Sequence, residues 1–131
     1  MSVSASLFSQ LMFIALGGAI GSVLRFAGSN AVYSFLGRDF PYGTLMVNVL
    51  GSFLMGLLAI LFIERLDSAP EFRAFFLVGL LGAFTTFSTF SIETFYLIEQ
   101  GEVLKAGLNM LLSVVLCVIA VSIGIFLGRE L

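Results

Sequence analysis

The stretch FRAFFLVGLLGAFTTFSTFSIETFYLI, Phe72 to Ile98, is apolar at both ends and crowded with small and hydroxyl side chains through its middle. It exceeds the roughly 20 residues a helix needs to cross a hydrocarbon core of about 30 Å. Gly79, Gly82, Thr85, Thr86, Ser88, Thr89 and Ser91 therefore fall at mid-membrane depth, and this run predicts a spanning helix that breaks near Gly82 to Thr86. Non-helical backbone at that depth survives only inside protein or beside a cavity, because lipid offers its N–H and C=O groups no partner. A break there is expected to serve function.

Three further apolar runs flank it: Leu7 to Tyr33, Thr44 to Ile63 and Val103 to Leu127. The connections are too short for another unit, so residues 1–131 read as one all-α membrane domain of four transmembrane helices. Composition agrees, with 60% apolar residues, 11% charged, no Trp and a mean hydropathy of +1.14. A soluble domain carries about a quarter charged residues because its surface faces water. Here the charges gather at Arg38 and Asp39, Glu64 to Arg73, Glu99 to Lys105, and Arg129 and Glu130, which marks the loops. Pro41 and Tyr42 stand at the entry to the second helix, and Ser68-Ala69-Pro70-Glu71 reads as a capping box opening the third. No basic side chain precedes the first apolar run, so a cleaved signal is not expected.

The same inventory excludes several chemistries. Cys117 is the single cysteine and there is no His, which removes intramolecular disulfides and the usual transition-metal sets. A net charge of -2 without a basic cluster argues against nucleic acid. No nucleophile and base pair or phosphate loop stands out, so an enzyme is not expected. Counting basic residues by side sets Arg65, Arg73 and Arg129 against Arg38, Lys105 and Arg25. That balance gives no positive-inside bias; insertion in both orientations and insertion in one both remain open on this count.

Small residues recur four apart at Gly17 and Gly21, Ser52 and Gly56, and Ala120, Gly124 and Gly128, a spacing that lets helix backbones approach closely. Thr44, Asn48 and Ser52 share one face of the second helix, and Asn109, Ser113 and Cys117 one face of the fourth. Each stripe reads either as interhelical hydrogen bonding or as donors in file for a dehydrating anion. Arg25 reads either as a side chain snorkelling to the interface or as a vestibule charge, and Glu93 is the one acid inside a predicted span. Phe84, Phe87 and Phe90 recur every three residues; on pattern they are packing or lipid-facing groups, although ring edges can contact an anion.

The strings GGAIGSVLR (Gly17 to Arg25), GTLMVNVLGS (Gly43 to Ser52) and GAFTTFSTFSIE (Gly82 to Glu93) resemble the Fluc/CrcB family of fluoride channels across nearly the whole chain. The resemblance implies an antiparallel, dual-topology homodimer in the bacterial cytoplasmic (inner) membrane, with two antiparallel pores that passively export fluoride and confer fluoride resistance. It further implies that Asn48 and Thr44 are pore donors, that Phe87 and Phe90 present ring edges to the ion, and that Arg25 lies near a vestibule. By the same resemblance the backbone carbonyls of Gly82 and Thr85 hold a structural sodium ion on the dimer axis, and Ser88, Thr89 and Glu93 occupy the polar region after the break. In the fourth helix Ser113 stands where a pore serine is expected, while Cys117 and Asn109 depart from the hydroxyl and tyrosine of some relatives. The partners implied are fluoride, membrane lipid and a second copy of the chain. The rival reading is a small dual-topology proton-coupled multidrug exporter; against it, the first helix carries no acid. A purely structural assembly subunit is a further alternative, against which the expected mid-depth break speaks.

Overall fold

Four helices long and apolar enough to cross a membrane build the molecule: Ser6–Leu36, Tyr42–Arg65, Pro70–Glu99 and Val103–Glu130. The computed structural model describes residues 3–131, with side chains from Ser6 onward. The first helix ends where Gly37 takes a positive φ of 82° and returns its N–H to the Tyr33 carbonyl at 2.8 Å. The turn before the fourth closes in the same manner at Gly101, φ 79°. Left-handed backbone of this kind is open to glycine without steric cost.

The first and second spans are unbroken, and the second closes in wider π-helical turns over Ile60–Arg65. The third is composite. It opens at Pro70–Arg73, widens into π-helical turns over Ala74–Leu81, tightens again at Gly82–Phe84 and then stops. Thr85 (φ -91°, ψ 155°) and Thr86 (φ -152°, ψ 117°) are extended, after which a new helix runs Phe87–Glu99. The opening of this span differs from the capping-box expectation. Ala69, which has no polar side chain, is the cap residue, while Ser68 spends its hydroxyl on the Phe62 carbonyl at 2.9 Å, closing the preceding turn.

Packing pairs the helices across the sequence. The second span lies against the fourth where Gly56 faces the backbone of Val121 and Ile125, and Gly124 faces that of Phe53 and Leu57. The first lies against the opening half of the third, with Gly17 and Gly21 against Phe75 and Leu80, and Gly79 against Ile14 and Gly18. The four-residue spacing of small side chains is thus spent on helix contact within one chain, except at Ser52, which lines a groove described below. At one end Arg65 donates to the Gly128 carbonyl at 3.4 Å and to that of Arg129, while Arg129 pairs with Glu64 at 3.7 Å. At the other, Lys105 donates to the Asp39 carbonyl at 3.4 Å.

A side chain at position 124 would meet the Leu57 amide nitrogen at 2.8 Å as well as the Phe53 carbonyl. These are backbone atoms and cannot rotate away, so Gly124→Val should cost about 1–3 kcal/mol of overpacking. Thermal unfolding in detergent should show a clearly lowered midpoint; an unchanged midpoint would mean that this contact is not a close one.

Candidate functional site

The break in the third span leaves backbone groups that no helix ladder serves, and one side chain takes two of them. Asn48, on the second span, accepts the Thr86 N–H at Oδ1 (2.7 Å) and donates from Nδ2 to the Thr86 carbonyl (3.0 Å). An amide can pair with the N–H and the C=O of one residue because it carries a donor and an acceptor side by side. The second Nδ2 hydrogen of Asn48 is left over. Thr86 in turn caps the helix that follows: its Oγ1 accepts the Thr89 N–H at 3.2 Å and donates to Thr89 Oγ1 at 3.0 Å, with Ser88 Oγ 3.4 Å away.

Upstream of the clamp, Thr85 returns both its N–H (3.1 Å) and its hydroxyl (3.0 Å) to the Leu81 carbonyl. Arg25 reaches in from the first span and donates Nε to the Ala83 carbonyl at 3.0 Å. Its guanidinium is therefore turned onto the break. The carbonyls of Gly82 and Thr85 receive no hydrogen bond from any described residue, and Gly82 is exposed in the single chain. They are two carbonyl oxygens left without a donor among the described residues.

A groove of about 480 Å³ opens on the other side of the clamp. Asn48 and Ser52 line it from the second span, Thr86, Phe87 and Phe90 from the third, and Ser113 and Cys117 from the fourth. The two rings lie with centroids 5.2 Å apart and planes inclined at 45°; Phe90 is buried, whereas Phe87 is 76% exposed. Phe84, the first of the three-residue series, is not with them but lines an apolar groove with Leu24, Leu50 and Leu80. The fourth-span stripe also divides. Ser113 and Cys117 face the groove, but Asn109 is 1% exposed behind it, donating Nδ2 to Thr94 Oγ1 at 2.8 Å and accepting from Ser113 at 3.4 Å.

Toward the 37–41 turn lies a second polar cluster. Glu93 accepts from the Thr44 hydroxyl at 2.5 Å and from the Tyr33 hydroxyl at 2.8 Å. Thr44, which the stripe placed in line with Asn48, is 4% exposed and bonded to this carboxylate rather than facing the groove. Tyr33, which sequence reasoning passed over, joins Glu93 to the surface. Its ring carries the Arg38 guanidinium at 4.4 Å, and both line a cavity of about 210 Å³ with Glu93, Tyr96 and Gln100. No sequence signal singled it out, since a tyrosine near a helix end is ordinary interfacial furniture. Among the described residues no group of acids or cysteine gathers to hold a metal ion by side chains. The arrangement offers donors and ring edges along a groove, followed by hydroxyls around one acid.

The family described as CrcB-like protein, Camphor Resistance (CrcB), matches residues 12–125. A Magnetococcus marinus protein named fluoride-specific ion channel FluC is 58% identical over 92% of this chain and 98% of its own length. One of the same name from Hydrogenovibrio crunogenus is 50% identical over 92% of each. A Methylococcus capsulatus relative, again so named, is 60% identical over 93% of this chain, which spans 54% of that protein's length.

Thr86→Val keeps the shape of the break and removes the oxygen that caps Phe87–Glu99. Loss of such a cap costs about 1 kcal/mol. The variant should unfold at lower temperature than the parent, while Ser91→Ala, whose hydroxyl only returns to the Phe87 carbonyl of its own turn, should not.

Proposed function

We propose that this chain, which belongs to the CrcB family, is one protomer of a fluoride-selective channel and not an enzyme. What carries the reading is the groove at the broken third span, where Asn48, Phe87, Phe90 and Ser113 converge on one space. Fluoride is small and strongly hydrated, so only closely set donors replace its water. The free Nδ2–H of Asn48, the Ser113 hydroxyl and the positive ring edges of Phe87 and Phe90 supply such a set. Ser88 and Thr89 extend it at the helix start, and the path continues past Asn48 to Thr44 and Glu93. Arg25 adds positive charge beside the break, in the role of a vestibule residue. The relatives' names support a channel, and nothing in them supports a proton-coupled exporter.

The functional unit in this reading is an antiparallel homodimer with two pores. Four helices are too few to enclose two pores, and the 76% exposure of Phe87 leaves one wall of the groove open. Carbonyls without a donor inside a membrane-spanning segment also need cover that lipid cannot give. The Gly82 and Thr85 carbonyls fit a sodium ion by donor chemistry, since unwound backbone oxygens are what such ions take in membranes. When bound, the ion supplies positive charge in a low-dielectric interior, where attraction for a passing anion is little screened. The dimer lies in the bacterial inner membrane and lets fluoride leave the cell passively, which confers resistance.

Efflux from proteoliposomes, followed with a fluoride electrode at equal driving force for fluoride and chloride, tests this. The parent should release fluoride and retain chloride. Phe87→Ile removes a ring edge, and Asn48→Asp puts a like charge on the path; each should slow fluoride efflux about tenfold or more. If folded dimers release no fluoride, the channel reading fails, and transport of lipophilic cations against a proton gradient is the assay to run.

A further inference from the structure

We propose that Asn109 is a positioning residue that competes with fluoride for the Ser113 proton and so sets how tightly the groove holds the ion; the inference rests on the channel reading above. The hydrogen-bond chain behind the groove fixes every polarity in turn. Thr94 donates its hydroxyl proton to the Phe90 carbonyl at 2.7 Å, so toward Asn109 its oxygen can only accept. The amide must then present Nδ2 to Thr94, at 2.8 Å, and Oδ1 to Ser113. Oδ1 is an acceptor without a hydrogen, which obliges Ser113 to donate. With its proton directed at Asn109, Ser113 shows lone pairs to the groove it lines, the wrong polarity for an anion.

The bond that directs the proton is a loose one. At 3.4 Å it is well beyond the usual 2.7–2.8 Å of O–H···O contacts. Rotation about Cβ–Oγ turns the hydroxyl from Oδ1 to an ion in the groove, exchanging one acceptor for another with no change in the backbone. Fluoride at Ser113 is therefore held by the difference between two hydrogen bonds. Conduction requires binding strong enough to admit the ion and weak enough to release it, and a fixed internal competitor supplies the second half of that condition. Asn109 itself, 1% exposed, does not touch the path and acts only through Ser113.

The test is the fluoride dependence of flux in reconstituted dimers, resolved into a half-saturating concentration and a maximum. Asn109→Leu removes the competitor, and Thr94 keeps its bond to Phe90, so half-saturation should fall about fivefold, with a lower maximum as release slows. Asn109→Asp strengthens the competitor and also adds negative charge near the path, so it should raise half-saturation by about as much. Adding Ser113→Ala should abolish the Asn109→Leu shift and leave of the Asn109→Asp shift only the part due to charge. A merely structural Asn109 would lower the maximum in Asn109→Leu without moving half-saturation. A rise in half-saturation in Asn109→Leu, or a fall that survives Ser113→Ala, would overturn the proposal. If size exclusion shows that Asn109→Leu does not assemble, Asn109→Ala, which deletes the acceptor without adding bulk, stands in. A parent that passes no fluoride would instead defeat the channel reading itself.

Discussion

Everything in this molecule turns on one residue, Thr86, that stands between the two halves of a broken apolar helix. Each unpaired backbone group in hydrocarbon costs several kcal/mol on an order-of-magnitude scale, which is why helices cross membranes whole. The chain breaks its third helix nonetheless, and Asn48 makes the break tolerable by bonding both the N–H and the C=O of Thr86. Thr86 then supplies the cap for the next helix, so the repair of one discontinuity begins the following element. The second span is thereby tied to the third at the point where the third is weakest.

That economy explains how the polar groups divide. One set serves the break from inside: Asn48, Thr86, Thr89 and Arg25. Another, Tyr33, Thr44 and Glu93, holds an acid inside the first three spans by surrounding it with hydroxyl donors. A third, Thr94, Asn109 and Ser113, fastens the second half-helix to the fourth span. Between them stand Phe87 and Phe90, apolar by volume but polar at the ring edge. The groove is left with a wall of donors, each already in some bond and each able to spare or redirect one hydrogen.

Much of this was written in the sequence, and what was not has a physical reason. The glycine and hydroxyl run between Gly79 and Ser91 announces a break, since such residues are wasted on a lipid-facing helix. Gly17, Gly21, Gly56 and Gly124 likewise announce close helix contact. Periodicity places residues on a face but does not say which neighbour the face meets. Thr44 and Asn48 share a face, yet one meets Glu93 and the other the Thr86 backbone, because the third span presents different things at those two heights. Asn109 and Ser113 share a face too, and both are buried, yet only Ser113 lines the groove. Ser68 offered a capping pattern, but its hydroxyl had a nearer carbonyl in Phe62. These outcomes depend on contacts between distant segments, to which local spacing is blind.

The pairing of first span with third and second with fourth bears on how the bundle comes into being. A chain threaded into the membrane from its N-terminus lays down the first two spans while the principal partner of each is still unmade. The Gly56 face of the second stays open to lipid until Val121 and Ile125 of the fourth emerge. The first and second helices are thus each held in part by one delivered later, although Gly43 already packs on Ser29 and Tyr33 within the leading half. The protomer is interlaced as well as hairpinned, and the second span gains its close backbone contact with the fourth only when the fourth is in place.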